Sequence, residues 1–334
     1  LRRKKSDVDT TIAAKEETII EVELTRTQKA YYRAFLSENS GILLQKITGG
    51  ALPSLQNLMM QLRKVCNHPF LIRGATSHIE EQVSQKLGKP VTDDEVVLKS
   101  LVESSGKLIL IDKLLPKLRE GGHKVLIFSQ MVKVLDILED YLSLIGIKPE
   151  RIDGSVPENE RQNAIERFAS DPNAFVFLLC TRAGGVGINL TAADTVIIYD
   201  SDWNPQNDIQ AESRCHRIGQ KSKVKVYRLV TRGTYELEML DRASKKLGLD
   251  RAILDGGTFN KKQSPMAANE IEKLLRSGVY NIAKDDDEID EFCAANIDQI
   301  LERRSKSFTR DVTDGGDSLF SKASFNANTN DNVD

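Results

Sequence analysis

Apolar positions recur along this chain at two different spacings. Between residues 106 and 257, short continuous apolar runs alternate with stretches in which apolar residues return every three or four positions. Strands that alternate with helices in this way predict a parallel sheet with helices on both faces. The runs cover residues 124–129, 175–179, 195–199 and 224–230, and the helical stretches begin near Leu108, Met131, Pro157 and Thr234.

The pattern divides the chain into five parts. Residues 1–75 open with an alternating, strand-like run and continue at helical spacing, and 76–105 are polar and irregular, which predicts a linker. Residues 106–257 form the α/β unit. Short amphipathic helices are predicted within 258–310, and residues 311–334, rich in Ser, Asn, Asp and Thr, predict a disordered tail.

Composition narrows the function only slightly. The formal net charge of the 334 residues is −2, so binding to nucleic acid would need a local basic face such as the Lys/Arg-rich region 214–251. No apolar run approaches the length of a membrane span, and no signal peptide is visible. The four cysteines are scattered without a C-x-x-C pair, which favours a reducing compartment, and Cys66 and His68 are expected to be packing residues rather than zinc ligands.

The stretch from Gln210 to Gln220 carries the strongest chemical signal. Arg214 and Arg217 are three residues apart, so a helix that starts at Asn204-Pro205 and stops at Gly219 would point both guanidiniums at one target. Guanidinium groups suit the oxygens of a transferring phosphoryl group. An arginine in that position is worth about 10³–10⁵ in rate, or roughly 4–7 kcal/mol of barrier. The alternatives are a solvated basic helix face and a salt bridge to a neighbouring lobe.

Other candidate residues lie where strands end. Ser129, Thr181 and Asp200 each close an apolar run, and sites in parallel α/β folds lie at the carboxyl ends of strands. Gly184-Gly185-x-Gly187 follows one such strand and would let backbone N–H groups approach a phosphate or ribose, although a plain tight turn explains three glycines almost as well. The phosphate-binding pattern G-x-x-x-x-G-K-[ST] is not found in the sequence.

Taken in order, these motifs resemble a known family. TRAGGVGINL (181–190), DWNP (202–205) and QAESRCHRIGQ (210–220) resemble motifs V and VI of the Swi/Snf-type ATPases in helicase superfamily two. KVLIFSQM (124–131) and RIDG (151–154) look like motif IV and the one after it.

Both ends of the chain are similar to chromodomain remodellers. The opening LRRKKSDV and KEETIIEVELT resemble the closing segment of their first ATPase lobe. EIEKLLRSGVY and FCAANIDQILERR resemble a segment after the motor in the chromodomain-helicase group, nearest its Kismet-like branch.

The resemblance implies a RecA-like carboxyl-terminal lobe at 106–257, preceded by the end of the first lobe and a helical protrusion. It assigns Arg214 and Arg217 to the γ-phosphate of ATP as arginine fingers. Gly185, Gly187 and Gln210 are the expected nucleotide-binding residues, with Gln210 connecting the nucleotide and DNA sides. The P-loop and the ligands of Mg²⁺ would lie in the first lobe.

The resemblance also implies contacts to one DNA strand. Ser129, Gln130, Thr181 and Arg182 match residues that touch its phosphate backbone, a type of contact that positions without reading sequence. Local capping would account for Ser129 equally well. Trp203, the only tryptophan, is expected to wedge against a sugar or base if it is exposed, or to anchor its turn if it is buried.

The expected function is therefore the second lobe of an ATP-dependent double-stranded-DNA translocase that remodels nucleosomes. The complete protein would be a nuclear ATP hydrolase whose partners are DNA, nucleosomes and histones, with the first lobe in cis. Two alternatives remain open: a repair or transcription translocase without nucleosome specificity, and a non-catalytic module that binds nucleic acid or a partner.

Overall fold

A computed structural model describes residues 14–39, 52–181, 188–242 and 287–310. It confirms the α/β class. The strands are β1 (Lys15–Val22), β2 (Val125–Ser129), β3 (Glu150–Ile152), β4 (Val176–Cys180), β5 (Thr195–Ile198), β6 (Val224–Thr231) and β7 (Ser305–Arg310). They form one sheet in the order β3-β4-β2-β5-β6-β1-β7, in which only β7 is antiparallel to its neighbour.

Helices cover the sheet and extend from it. Those before the central strands are α1 (Arg26–Glu38), α2 (Leu52–Asn67), α3 (Ala75–Leu87), α4 (Asp94–Glu103) and α5 (Gly106–Glu120), with a 3-10 turn at Pro69–Leu71. Those that follow are α6 (Val132–Leu144), α7 (Glu158–Ser170), α8 (Pro205–Glu212), α9 (Asp287–Ala294) and α10 (Ile297–Arg304), and residues 235–242 are also helical. In the part of the chain that the structure covers, none of the helices is long and apolar enough to cross a bilayer.

Alternation along the central strands builds a core on each face of the sheet. Val125 and Ile127 of β2 pack in one cluster, with α5, α6 and α10, whereas Leu126 and Phe128 pack in the other, with α7 and α8. Successive strand residues point to opposite faces, so a strand that is apolar throughout must be covered on both. A third cluster joins α1, α2 and the helix at 235–242 through residues such as Tyr32, Leu62 and Tyr235.

Strand β1 belongs to the same sheet as the α/β unit. It pairs in parallel with β6, from Lys15 opposite Val224 to Val22 opposite Thr231. The alternating run near residue 20 is thus a strand, as expected, but its partner lies about two hundred residues away. Residues 15–22 are therefore part of the same sheet as the α/β unit.

Three segments differ from expectation. Residues 76–105 were expected to be irregular but form α3 and α4, whose polar composition reflects how few of their side chains are buried. Residues 305–310, at the end of the segment expected to be helical, form β7 because the free edge of β1 offers backbone partners there. Strand β3 was not predicted, since three residues are too short to show a periodicity.

The cluster at the strand ends

Hydrogen bonds to the Asp200 carboxylate and from the backbone of Thr181 connect the carboxyl ends of β2, β4 and β5. Asp200 directly follows Tyr199 at the end of β5, and its Oδ1 accepts hydrogen bonds from Ser129 Oγ at 2.6 Å and from the backbone N–H of Gln130 at 3.0 Å. The N–H of Thr181 donates to the carbonyl of Ser129 at 2.9 Å. Three of the predicted strand-end residues are therefore neighbours.

Ser129 and Gln130 differ in what they can offer a ligand. The side chain of Ser129 is fully buried, and its Oγ also accepts from the N–H of Met131 at the start of α6, so in this arrangement it acts as a local cap. Gln130 is half-buried, and its side-chain Nε2 has no acceptor among the residues described. Thr181 is half-buried as well. Their contacts to DNA stay predictions, and Gln130 is the member with an unused donor.

Arg63 of α2 holds the other oxygen of Asp200. Its Nη2 donates to Asp200 Oδ2 at 2.8 Å and to the carbonyl of Ser201 at 3.1 Å, and the side chain is buried. Burial alone would lower the pKa of Arg63, but the carboxylate of Asp200 outweighs it and the pKa is raised. Sequence reasoning missed this residue, because nothing along the chain links position 63 to position 200.

A buried lysine makes a second connection between the helical segment and the sheet. Lys107 Nζ donates to Asn67 Oδ1 at 3.0 Å, to the carbonyl of Tyr199 at 2.9 Å and to Glu236 Oε1 at 3.0 Å. The hydroxyl of Tyr199 donates to the carbonyl of Asn67 at 2.9 Å. The end of β5 is thus fixed from both sides.

The arginine turns after α8

Helix α8 begins as predicted and ends earlier than predicted. Asn204 caps it by accepting from the N–H of Gln206 at 3.2 Å, and Pro205 is its first residue. The helix stops at Glu212, so the expectation that it continues to Gly219 is wrong, and Arg214 and Arg217 do not lie on a helix face. They lie in consecutive turns instead.

Hydrogen bonds to the preceding loop explain this early end. Cys215 Sγ donates to the carbonyl of Ala193 at 3.0 Å, and Gln220 Nε2 donates to the same carbonyl at 2.7 Å. The N–H of Leu190 donates to the carbonyl of Arg214 at 3.0 Å. A helix that continued to Gly219 could not make these contacts. Gly219 itself has φ of +99°, a left-handed conformation that an α-helix does not contain.

The two arginines are nevertheless close enough for their positive charges to repel each other. Burial lowers the pKa of Arg214, and the positive charge of Arg217 lowers it further. Arg214 is half-buried, and its Nε has no acceptor among the described residues, whereas Arg217 is exposed. Two guanidiniums in this relation would be stabilised by an anion.

The arginine turns and the strand-end cluster lie toward different ends of the sheet. Ala193, to which the turns are tied, comes just before β5, whereas Asp200 comes just after it. Arg214 and Arg217 are therefore separate from Ser129, Gln130 and Asp200, and α8 lies between Asp200 and Arg214 along the chain. Gln210 is exposed near the end of α8. Gly185, Gly187 and Arg182 lie outside the described residues.

The surroundings of Trp203 match the alternative in which its ring packs inside the protein and anchors the turn. It is half-buried, and its ring stacks on that of Tyr235 with centroids 6.3 Å apart and planes 18° from parallel. It also packs against the cluster of α1 and α2. A role against DNA stays a prediction.

His68 is a packing residue, as expected. Its Nδ1 accepts from the N–H of Phe70, and its Nε2 lies 2.9 Å from the carbonyl of Leu101, which ties α2 to α4. Burial lowers its pKa to about 4, so the ring is neutral at physiological pH. Nowhere in the described ranges do three or more His, Cys, Asp or Glu side chains group as metal ligands would.

Comparison with known proteins supports the resemblance. Residues 106–219 match the model of the helicase conserved C-terminal domain, and residues 1–71 match that of the SNF2-related domain. The chain is 57% identical to chromodomain-helicase-DNA-binding protein 8 of Xenopus tropicalis over 99% of its own length and 15% of that protein's. It is 56% identical to chromodomain-helicase-DNA-binding protein 9 of Homo sapiens, over 99% of this chain and 12% of the relative.

Solved structures show the same fold. The C-terminal part of the Fun30 ATPase domain is 27% identical, with a TM-score of 0.59 over 84% of this chain and 99% of that one. A Sulfolobus solfataricus SWI2/SNF2 ATPase core in complex with double-stranded DNA is 25% identical, with a TM-score of 0.57 over 75% of this chain and 47% of that one. The chain spans less than a sixth of the length of the two chromodomain-helicase-DNA-binding proteins. It belongs with them to the SNF2-type ATPases and carries their RecA-like helicase C-terminal domain.

Proposed function

We propose that this chain is the second lobe of an ATP-dependent double-stranded-DNA translocase that remodels nucleosomes. ATP would lie between a first lobe and this one, with Mg²⁺ held by the first lobe. Arg214 and Arg217 would bind the γ-phosphate and stabilise its developing charge, and Gly185, Gly187 and Gln210 would complete the nucleotide side. Ser129, Gln130, Thr181, Arg182 and Trp203 would face DNA.

One observation carries the nucleotide part of the proposal. The Nε of Arg214 is buried and has no acceptor among the residues that the structure describes, and the nearby charge of Arg217 disfavours the charged form of Arg214. A buried donor that lacks a partner costs free energy, and a phosphate oxygen is the acceptor that best suits an arginine. The residues present therefore fit a phosphate group.

The DNA part rests on the strand-end cluster. The amide donor of Gln130 is unused within the described structure, and the preceding residue, Ser129, accepts a hydrogen bond from the N–H of Thr181. Neutral donors of this kind suit phosphate oxygens. A structural relative of this chain was solved in complex with double-stranded DNA, and the nucleosome, as substrate, is proposed from the similarity to chromodomain-helicase-DNA-binding proteins.

The test replaces Arg217 by alanine in a motor that contains both lobes. We expect DNA-stimulated ATP hydrolysis to fall by about 10³ or more, because charge stabilisation in the transition state is lost, while ATP binding is largely kept. Arg303→Ala is the control, since Arg303 is an exposed arginine of α10 paired with Glu291. Unchanged turnover in Arg217→Ala would contradict the assignment.

A second experiment separates the two translocase functions. ATPase rates of the motor are compared on nucleosomes and on naked DNA of the same length. Higher stimulation by nucleosomes supports a remodeller, and equal stimulation supports a translocase of repair or transcription. Binding of DNA without any hydrolysis would favour the non-catalytic module.

A further inference from the structure

Helix α8 is held to the sheet mainly by charged side chains. Its buried residues are Asp208, Ala211 and Glu212, so the only apolar side chain among them is a single methyl group. A buried carboxylate is costly unless it is paired and hydrogen-bonded. The position of this helix therefore depends on what its two carboxylates bind.

One guanidinium binds both of them. Arg228 of β6 donates from Nη1 to Asp208 Oδ2 at 2.6 Å, from Nη2 to Glu212 Oε1 at 2.9 Å, and from Nε to Glu17 Oε1 of β1 at 3.1 Å. Its Nη1 also donates to Ser201 Oγ at 2.9 Å, and the side chain is 7% exposed. The rigid fork of arginine can meet several carboxylates at once, which the single ammonium of lysine cannot do.

Lys15 secures the end of the helix. Its Nζ donates to Glu212 Oε2 at 2.6 Å and lies 3.6 Å from Glu17 Oε2. Glu212 is the last residue of α8, so this end is fixed to β1 and β6 together. The group contains three carboxylates and two cations, all of them buried.

The helix so fixed connects the two predicted sites. It begins five residues after Asp200 of the strand-end cluster and ends two residues before Arg214. Eight residues of α-helix span about 12 Å. A shift or rotation of α8 would therefore move the arginine turns relative to the ends of β2, β4 and β5.

We propose that Arg228 is a positioning residue for ATP hydrolysis: by fastening α8 to β1 and β6, it sets where Arg214 and Arg217 stand relative to the strand-end cluster. This inference rests on the proposed role of those two arginines. Arg228 is itself buried and touches no reacting atom. It acts only through the helix.

The first test is Arg228→Lys in a motor that contains both lobes. Lysine keeps the charge but lacks the planar guanidinium that binds several carboxylates at once. We therefore expect kcat of the DNA-stimulated ATPase to fall about ten- to a hundredfold, which is the effect of a small misplacement of catalytic groups. KM for ATP should stay within about threefold, since the lost interaction acts in the transition state. Arg232→Lys is the control: Arg232 directly follows β6 and binds Glu23 and Glu288 instead of α8, and its replacement should leave kcat unchanged.

A double-mutant cycle then asks whether the effect passes through Arg217. We expect Arg217→Lys to keep measurable turnover, because lysine retains the positive charge. In that background Arg228→Lys should cause little further loss, because the group that it positions is already impaired. An equal loss of kcat in both backgrounds would overturn the inference. So would unchanged kcat in Arg228→Lys when Arg217→Lys is impaired.

The outcomes separate this inference from the function on which it rests. If Arg217→Lys hydrolyses ATP normally, the arginine-finger assignment itself fails. If Arg228→Lys is unfolded at the assay temperature by circular dichroism, Glu212→Gln is used in its place. That variant keeps the shape of the side chain and weakens the same attachment, so the same fall in kcat and the same cycle apply, and normal turnover in it overturns the inference.

Discussion

Asp208 should make the stability of this protein depend on pH in an unusual direction. Burial, which is the largest cause, and the neighbouring Glu212 together raise its pKa from the ordinary 3.8 to about 7, against the opposing effect of Arg228. The folded protein therefore holds this proton more tightly than the unfolded chain does. Between about pH 4 and pH 7 the folded state binds more protons, so stability falls as the pH rises through that window.

The magnitude follows from the size of the shift. One pKa unit corresponds to about 1.4 kcal/mol, so the contribution lost between about pH 4 and pH 7 is on the order of 4 kcal/mol. The substitution Asp208→Asn keeps the shape of the side chain and cannot ionise. We expect the free energy of unfolding of the variant, minus that of the unmodified protein, to increase by about 4 kcal/mol from pH 4 to pH 7.

Urea unfolding followed by circular dichroism at pH 4.5, 5.5, 6.5 and 7.5 measures this difference (about one pH unit per step, to resolve the slope). A difference in free energy of unfolding that is the same at every pH is compatible with changed hydrogen bonds to Arg228. The prediction concerns only how that difference changes with pH. Asp94→Asn, at an exposed position in the first turn of α4, is the control. Parallel stability curves for Asp208→Asn and the unmodified protein would refute the reasoning.

Three further predictions concern the supports of the strand ends. Arg63→Ala leaves the buried carboxylate of Asp200 without its counter-ion, so the free energy of unfolding in urea should fall by about 3–5 kcal/mol. Gly106→Ala should lower the melting temperature, with a loss of about 1–3 kcal/mol, although alanine is the better helix former, because a methyl group there overlaps the carbonyl oxygen of Glu23. His68→Gln removes a buried neutral ring whose pKa is about 4 instead of 6.5. The unmodified protein should therefore lose up to about 3 kcal/mol relative to this variant as the pH falls from 6.5 to 4, measured by urea unfolding.

Matched controls make these outcomes specific. Arg303→Ala breaks an exposed ion pair with Glu291 and should cost less than about 1 kcal/mol. Gly154→Ala adds a methyl group where no atom lies within 4 Å and should change the melting temperature little. If Arg63→Ala lowered stability no more than Arg303→Ala, burial of the ion pair would not explain its effect. If Gly106→Ala lowered stability no more than Gly154→Ala, close packing would not explain its effect. If the free energy of unfolding of His68→Gln changed with pH in parallel with that of the unmodified protein, the histidine prediction would be wrong.

The local pattern of apolar, polar and capping residues predicted most of the strands of the lobe and the start of α8. The strands β2, β4, β5 and β6 are where continuous apolar runs predicted them, because a strand covered on both faces must be apolar at nearly every position. The start of α8 was also predictable, since Asn204 and Pro205 provide a cap and a fixed first residue. The motifs identified the family.

Local pattern failed where distant contacts compete with it. Periodicity and Gly219 favoured a long helix through Arg214 and Arg217, but Cys215 and Gln220 bind the carbonyl of Ala193 and turn the chain away after Glu212. The strand character of residues 305–310 likewise depends on the free edge of β1. Neither partner is close in sequence.

The α/β class, the family and the choice of candidate site residues all follow from local periodicity and motif order. Contacts between distant elements place β1 in the sheet, separate the arginine turns from the strand-end residues, and put Arg63 and Arg228 beside their carboxylates. A buried charge is tolerated only beside its counter-charge. For Arg63 and Asp200, or for Arg228 and Glu17, that partner comes from a different element, and no spacing along the chain records the pairing.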